Sequence, residues 1–311
     1  MALLFYSHPS SLAHDPGPGH PEAPVRLRAV LKAVDEAALP GLKRREAPEA
    51  SLDQVRLVHP EPYVSRLLEA VPERGYARLD ADTVLSPGSG EAALRAAGAA
   101  CAAVDAVLAG EAEAAFCATR PPGHHAEPME AMGFCLFNSV AVAACHARHA
   151  HKLSRLAIVD FDVHHGNGTQ AAFWDDPDTL YVSTHQSPLY PGTGLASERG
   201  VKGNILNVPL RPGTDGAAFR AAVDRQVLPL VDSWRPELLL VSAGFDAHAA
   251  DPLANLMLLE GDFAWITREL RAIAGRHSAG RIVSVLEGGY DPPALGRSVV
   301  AHLEALAGRP G

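Results

Sequence analysis

The run L-A-I-V-D-F-D-V-H-H-G-N-G-T over positions 156–169 gathers two carboxylates and an imidazole at spacing two: Asp160, Asp162 and His164. Along an extended backbone, positions two apart share one side. The apolar stretch 156–159 ahead of them reads as a buried strand of a parallel sheet. The three polar groups then fall at its carboxyl end, where open α/β sheets bind ligands. Carboxylates converging there repel unless a cation lies among them. Oxygen and nitrogen donors without sulfur suit a catalytic zinc or a harder ion. The plainer reading is a helix N-cap cluster in an ordinary βα loop.

Three further segments supply matching parts. L-L-L-V-S-A-G-F-D over 238–246 is a second apolar run ending in a carboxylate, Asp246, which would complete a two-Asp, one-His set with Asp162 and His164. Such a set balances a divalent charge and leaves positions open for water and substrate. His248 is either a fourth ligand or a loop histidine. R-P-P-G-H-H-A over 120–126 builds a stiff loop, and its tandem histidines, His124 and His125, suit acid/base work on an attacking water. I-V-S-V-L-E-G-G-Y over 282–290 leads a strand into two glycines and Tyr290, a phenol able to donate to a developing oxyanion. Taken singly, the histidines could be exposed loop residues and the tyrosine a ring packed over a turn.

Taken together and in order, R-P-P-G-H-H-A, D-F-D-V-H-H-G-N-G-T-Q, S-A-G-F-D and E-G-G-Y resemble the zinc-dependent histone deacetylase and acetylpolyamine amidohydrolase superfamily. H-D-P-G-P-G-H-P-E-A-P-V-R-L from position 14, G-F-C-L-F-N from 133 and Y-P-G-T-G from 190 extend the resemblance over nearly the whole chain. The proline-rich loop and the start of the chain are nearer the class II and bacterial deacetylase-like branch than class I.

The resemblance implies a zinc-dependent amidohydrolase that removes acetyl or short acyl groups from an amine such as acetyl-lysine. An acetylpolyamine or small acetamide is the alternative substrate. One zinc per chain would sit on Asp162, His164 and Asp246. His125 would act as general base and then acid, His124 would assist electrostatically through Asp160, and Tyr290 would hold the oxyanion. Asn167 matches the partner of the second histidine, an aspartate in class I enzymes, and a neutral amide there should leave His125 less basic. Gly133, Phe134 and Tyr190 match the walls of a narrow tube, and Asp82 a rim acceptor for substrate backbone. Leu253 stands where polyamine-selective relatives can carry a glutamate. Arg26 matches an arginine lining a channel for released acetate. Asp160 and Ser183, with the backbone of Asp162, His164 and Thr184, match a potassium site; a second monovalent site would lie near Phe173 and Asn207. Arginase-like ureohydrolases share the fold but hold two manganese ions and need more carboxylates. A non-catalytic acetyl-lysine binder is the other alternative, although every catalytic position is filled.

The elements that must position these residues alternate. Strand-length apolar runs lie near 2–7, 114–119, 156–162, 179–184, 204–210, 238–245 and 281–287, with a weaker one at 43–47; helical patterns occupy 24–38, 61–71, 90–109, 138–150, 215–230, 261–276 and 292–307. This predicts an α/β fold: a single domain over 1–311 with a mostly parallel eight-stranded sheet and helices on both faces. With 47% hydrophobic residues there is ample core, and a net charge of −9 argues against nucleic acid as a partner. Acetylated lysine peptides or small acetylated amines are compatible with that charge, as is a homo-oligomer. Cys101, Cys117, Cys135 and Cys145 show no paired ligand spacing. The start of the chain lacks the look of a signal peptide, and no stretch reaches the length of a membrane span. This reads as a cytoplasmic protein. His146, His149 and His151 do not share one helix face and read as a solvated helix end rather than a metal site.

Overall fold

The computed structural model describes residues 2–308. Eight strands form one sheet: β1 (Leu3–Ser7), β2 (Leu42–Glu46), β3 (Ala114–Cys117), β4 (Leu156–Asp160), β5 (Thr179–Gln186), β6 (Ile205–Leu210), β7 (Leu238–Ala243) and β8 (Ile282–Leu286). Their order across the sheet is β2-β1-β3-β8-β7-β4-β5-β6, and every neighbouring pair is parallel. The uninterrupted apolar runs follow from burial on both faces. Ala157, Val159, Leu239 and Val241 pack into the core on one face, and Leu156, Ile158, Leu238 and Leu240 into the core on the other. Helices Val25–Ala37, Glu260–His277 and Pro292–Leu306 cover the first face. The alanine-rich helix Ser89–Leu108 and helix Ser139–His151 cover the second.

The sequence signal was weak at β2 because it is an edge strand: Leu42 is half-buried and the other four residues are exposed, so little apolar character is required there. One expectation is corrected and one element is added. The helix expected over 215–230 is broken into Gly216–Ala222, a π-helical turn Val223–Val227 and Leu228–Trp234. Pro229 lacks the N–H that would continue an α-helical ladder, and the wider turn absorbs the gap. A short hairpin, not anticipated from the sequence, pairs Ala77–Arg78 antiparallel with Val84–Leu85 and presents Asp82 at its tip. No helix of the described residues is long and apolar enough to cross a membrane.

His302 is buried where the helices of the first face meet the sheet. Its Nδ1 lies 2.6 Å from Thr267 Oγ1 and its Nε2 2.9 Å from Ser284 Oγ, with the rings of Phe116, Phe161 and Phe245 around it. Burial pushes its pKa from 6.5 down to about 3. Between those values the unfolded chain takes up a proton that the folded one refuses, so stability falls as pH drops below 6.5. Relative to wild type, His302→Gln should lose about 2 kcal/mol less unfolding free energy between pH 7 and pH 5. Urea titrations at the two pH values check this, and equal losses would refute it.

Candidate active site

The four chemistry-bearing segments leave adjacent central strands, β3, β8, β7 and β4, so a sheet of parallel strands delivers them to one edge. Asp162, His164 and Asp246 are fully or nearly buried, and their donor atoms lie within 4.8 Å of one another. His164 Nδ1 is 3.1 Å from Asp162 Oδ1 and 3.2 Å from Asp246 Oδ2. The other oxygens are tied to backbone: Asp162 Oδ2 accepts from Gly288 N at 2.8 Å and Asp246 Oδ1 from Val163 N at 2.8 Å. Burial and the neighbouring Asp162 push Asp246 up to about 7. Two dry, mutually repelling carboxylates plus an imidazole form a donor set that suits one divalent cation of the zinc type. Gly288 has to be glycine, since a Cβ there would lie 1.9 Å from Asp246 Oδ2.

The pleat does not align Asp160, Asp162 and His164 as their spacing suggested. β4 ends at Asp160, and the chain then bends, with Asp162 N donating to Asp160 Oδ1 and His164 N to Asp162 Oδ1. The other oxygen of Asp160 accepts from the Tyr181 hydroxyl at 3.0 Å and lies 2.9 Å from His124 Nδ1. His248 is not a fourth ligand. Its Nδ1 accepts from Ala250 N, and Glu260 lies 3.4 Å from its Nε2.

The two loop histidines lie with ring centres 4.0 Å apart, tilted by 45°, and have opposite surroundings. Burial disfavours charge on both. At His124 the carboxylates of Asp162 and Asp160 outweigh burial and hold its pKa well above the usual range. His125, with burial reinforced by the charges of His124 and His164, lies well below it. His125 Nδ1 is 2.8 Å from Asn167 Oδ1, and the Asn167 amide donates in turn to Glu127.

Three residues without an assigned role in the sequence reading build the supports. Glu287, at the end of β8, accepts from Gly123 N at 2.6 Å, His124 N at 3.2 Å and Ser242 Oγ at 3.1 Å. Glu22 is fully buried between Arg26 and Arg120, with Arg120 Nη2 2.7 Å from its Oε2 and Arg26 Nη1 2.8 Å from its Oε1. Asp251 accepts from Tyr290 N at 2.6 Å. Arg26 donates to the carbonyls of Glu287 and Gly289 on either side of the glycine turn, and lies 4.7 Å from the centre of the Tyr290 ring. Burial keeps the Tyr290 phenol well above its usual pKa against the opposing pull of Arg26. A buried carboxylate in E-G-G-Y was a readable signal. Glu22 pairs with Arg26 four positions on, but its pairing with Arg120, like that of Asp251 with Tyr290, forms only across the fold.

Above the ligand set lies a cavity of about 220 Å³ lined by Asp82, His125, Gly133, Phe134, His164, Leu189, Tyr190, Leu253 and Tyr290. It gathers every substrate-contact position expected from the sequence and adds Leu189. Phe134 meets the Tyr290 ring edge-on at 5.9 Å, and Tyr190 meets His125 at 5.1 Å. Asp82 is half-buried at the mouth, its Oδ1 accepting from Thr83 Oγ1.

The histone deacetylase domain family matches residues 20–306. A histone deacetylase-like amidohydrolase from Pseudomonas aeruginosa is 43% identical over 93% of this chain and 77% of that protein. A probable deacetylase from Archaeoglobus fulgidus is 40% identical over 97% of this chain and 85% of that protein. The crystal structure of the HDA15 HD domain superposes with a TM-score of 0.94 at 32% identity, covering 99% of this chain and 88% of that one. The chain belongs to the histone deacetylase family, a hydrolase family acting on amides.

Gly133 adopts φ +56°, and a Cβ there would lie 2.5 Å from His125 Cδ2. Gly133→Ala should therefore displace the imidazole and lower kcat/KM on an acetylated amide by about 100-fold, the cost of a small misplacement at a reacting centre. Steady-state kinetics with a fluorogenic acetyl-lysine check this. A variant within twofold of wild type would show that the contact is not limiting.

Proposed function

We propose that this hydrolase removes an acetyl or short acyl group from a primary amine carried on a slim, unbranched chain, with acetyl-lysine in a peptide preferred. The observation that carries the reading is the narrow cavity whose floor is His164, His125 and Tyr290 and whose mouth is Asp82 and Leu253. Asp162, His164 and Asp246 would hold one zinc, which when bound supplies a Lewis acid toward the amide carbonyl and the attacking water. His125, neutral because burial and two neighbouring imidazoles disfavour its cation, would take a proton from the water as the new C–O bond forms. It would return that proton to the amine as the C–N bond breaks. Asn167 orients it through Nδ1. His124, oriented by Asp160, contributes positive charge beside the reacting carbon. The Tyr290 hydroxyl would donate to the oxygen that gains negative charge.

Arg26, fully buried behind Tyr290, would steady that phenol and mark the inward route for the acetate product. Asp160 and Ser183, paired in register on β4 and β5, together with the backbone of Asp162, His164 and Thr184, would hold potassium beneath the zinc ligands. Near Phe173 and Asn207 the buried Asn207 Oδ1 has no hydrogen-bond partner and would be available to a second monovalent ion. The Phe173 carbonyl, with those of Asp176 and Thr179, accepts from the Asn204 amide, and Asn207 Nδ2 donates to Gln170.

Tyr290→Phe should lower kcat by about 10²–10³, the loss expected for one oxyanion donor, with KM changing far less. Near wild-type kcat would remove Tyr290 from the chemistry. For substrate, Asp82 offers an acceptor to a peptide N–H at the mouth, and Leu253 gives no carboxylate to a second ammonium. An acetyl-lysine peptide should therefore show the higher kcat/KM when compared with N1- and N8-acetylspermidine. The net charge of −9 favours a polycation by long-range attraction, so a tenfold preference for either polyamine would establish that reading instead.

A further inference from the structure

We propose a second metal site, on the opposite edge of the sheet from the catalytic centre, formed by Asp105, His146 and His151 and selective for a divalent transition ion such as zinc. Donor atoms of these three residues lie within 4.8 Å of one another. His146 Nε2 is 2.7 Å and His151 Nε2 2.6 Å from the same oxygen, Asp105 Oδ1. The two rings stand nearly perpendicular with centres 5.8 Å apart, so both nitrogens are aimed at one point.

The fold supplies this convergence. His146 and His151 are five positions apart on helix Ser139–His151, so they cannot share a face by helical spacing. Asp105 comes from helix Ser89–Leu108, which packs alongside. The third donor therefore enters from a neighbouring helix and meets the last turn, where the chain leaves the helix through Lys152 in a left-handed conformation. His149 and His151 are exposed, as expected of a solvated helix end, and the departure is at His146. His146 is only 8% exposed, while Asp105 and His151 lie at the surface. One donor is thus fixed and two are free to adjust.

The adjustment needed is small. Zinc bound at about 2.0–2.1 Å in tetrahedral geometry holds its donor atoms roughly 3.3 Å apart. The nitrogens, now 2.7 and 2.6 Å from Asp105 Oδ1, need to move away from it by about two-thirds of an ångström, and the side chains that must move are the exposed ones. Two imidazoles and one carboxylate select zinc, nickel or copper over magnesium or calcium, which take oxygen donors. Solvent would complete the coordination. An ion there joins two helices that cover the same sheet face. Helix Ser139–His151 starts at Asn138, beside the catalytic loops, and ends just before β4 begins, so the site lies at the far end of that helix from the catalytic centre.

Equilibrium dialysis of the metal-stripped protein against low-micromolar free zinc tests the proposal. Wild type should bind two equivalents, His151→Ala and Asp105→Asn one each, and His149→Ala, a control for adventitious histidine binding, two. Asp246→Ala should retain one equivalent and lose it on adding His151→Ala, whereas a dinuclear catalytic centre would lose both ions with Asp246→Ala. Deacetylation by His151→Ala should stay within twofold of wild type, and zinc should raise the melting temperature of Asp246→Ala by several degrees but not that of the double variant. One equivalent in wild type, or a second equivalent that survives His151→Ala, would overturn the site. If Asp246→Ala does not fold, the His151, Asp105 and His149 variants decide the question alone.

Discussion

One buried carboxylate, Glu287, ties the catalytic edge together. It belongs to the end of β8, yet it takes hydrogen bonds from the backbone of the β3 loop at Gly123 and His124 and from Ser242 on β7. Its own carbonyl receives Arg26. Three adjacent strands therefore share a single side chain with no access to water, and the helix behind Tyr290 joins them through the backbone of the same residue. Burial raises its pKa to about 7, which marks how much of its role depends on the donors around it. Without those oxygens, two loop N–H groups would be left buried and unpaired, each costing about 1–3 kcal/mol.

Glu22 has the complementary role, a layer below. Two buried guanidinium groups, Arg26 and Arg120, converge on it, and the surrounding carbonyls of Ser11, His14 and Glu22 complete the donors of Arg120. Burial opposes its charge, but Arg120, His14 and Arg26 together hold its carboxyl well below the usual range. Such a network is stable only as a whole, because removing one partner strands the others in a dry interior. It couples the proline-rich loop carrying His124 and His125 to the turn carrying Tyr290. The two sides of the cavity are thus set by one polar cluster.

The adjacent histidines show how neighbours divide a task. Their rings touch, yet Asp160 stands behind one and Asn167 behind the other. Two carboxylates favour the cation at His124, whereas burial and the charges of His124 and His164 disfavour it at His125 against the smaller opposing effect of the Asn167 hydrogen bond. Environments that push two titratable groups apart are the usual mark of an assigned acid and base.

Local patterning carried the strands, the parallel sheet and most of the site, because each chemical group directly follows an apolar run whose burial on both faces is required. Asp162, His164, Asp246, His124, His125 and Tyr290 were legible for that reason, and so were Asn167, Phe134 and Tyr190 through the motifs around them. The eight strands were legible too, the weakest being the exposed edge β2. What depends on partners distant in sequence was not. Asp160 does not point with Asp162 and His164 because the chain bends after β4, and Glu22 and Asp251 meet Arg120 and Tyr290 only across the fold. Likewise Asp105 meets His146 and His151 only across a helix pair. Periodicity and spacing report what a residue does along its own element, so the sequence alone determined the elements and the chemistry at their ends. Which side chains face one another across elements, and hence every buried charge pairing, was decided by tertiary packing.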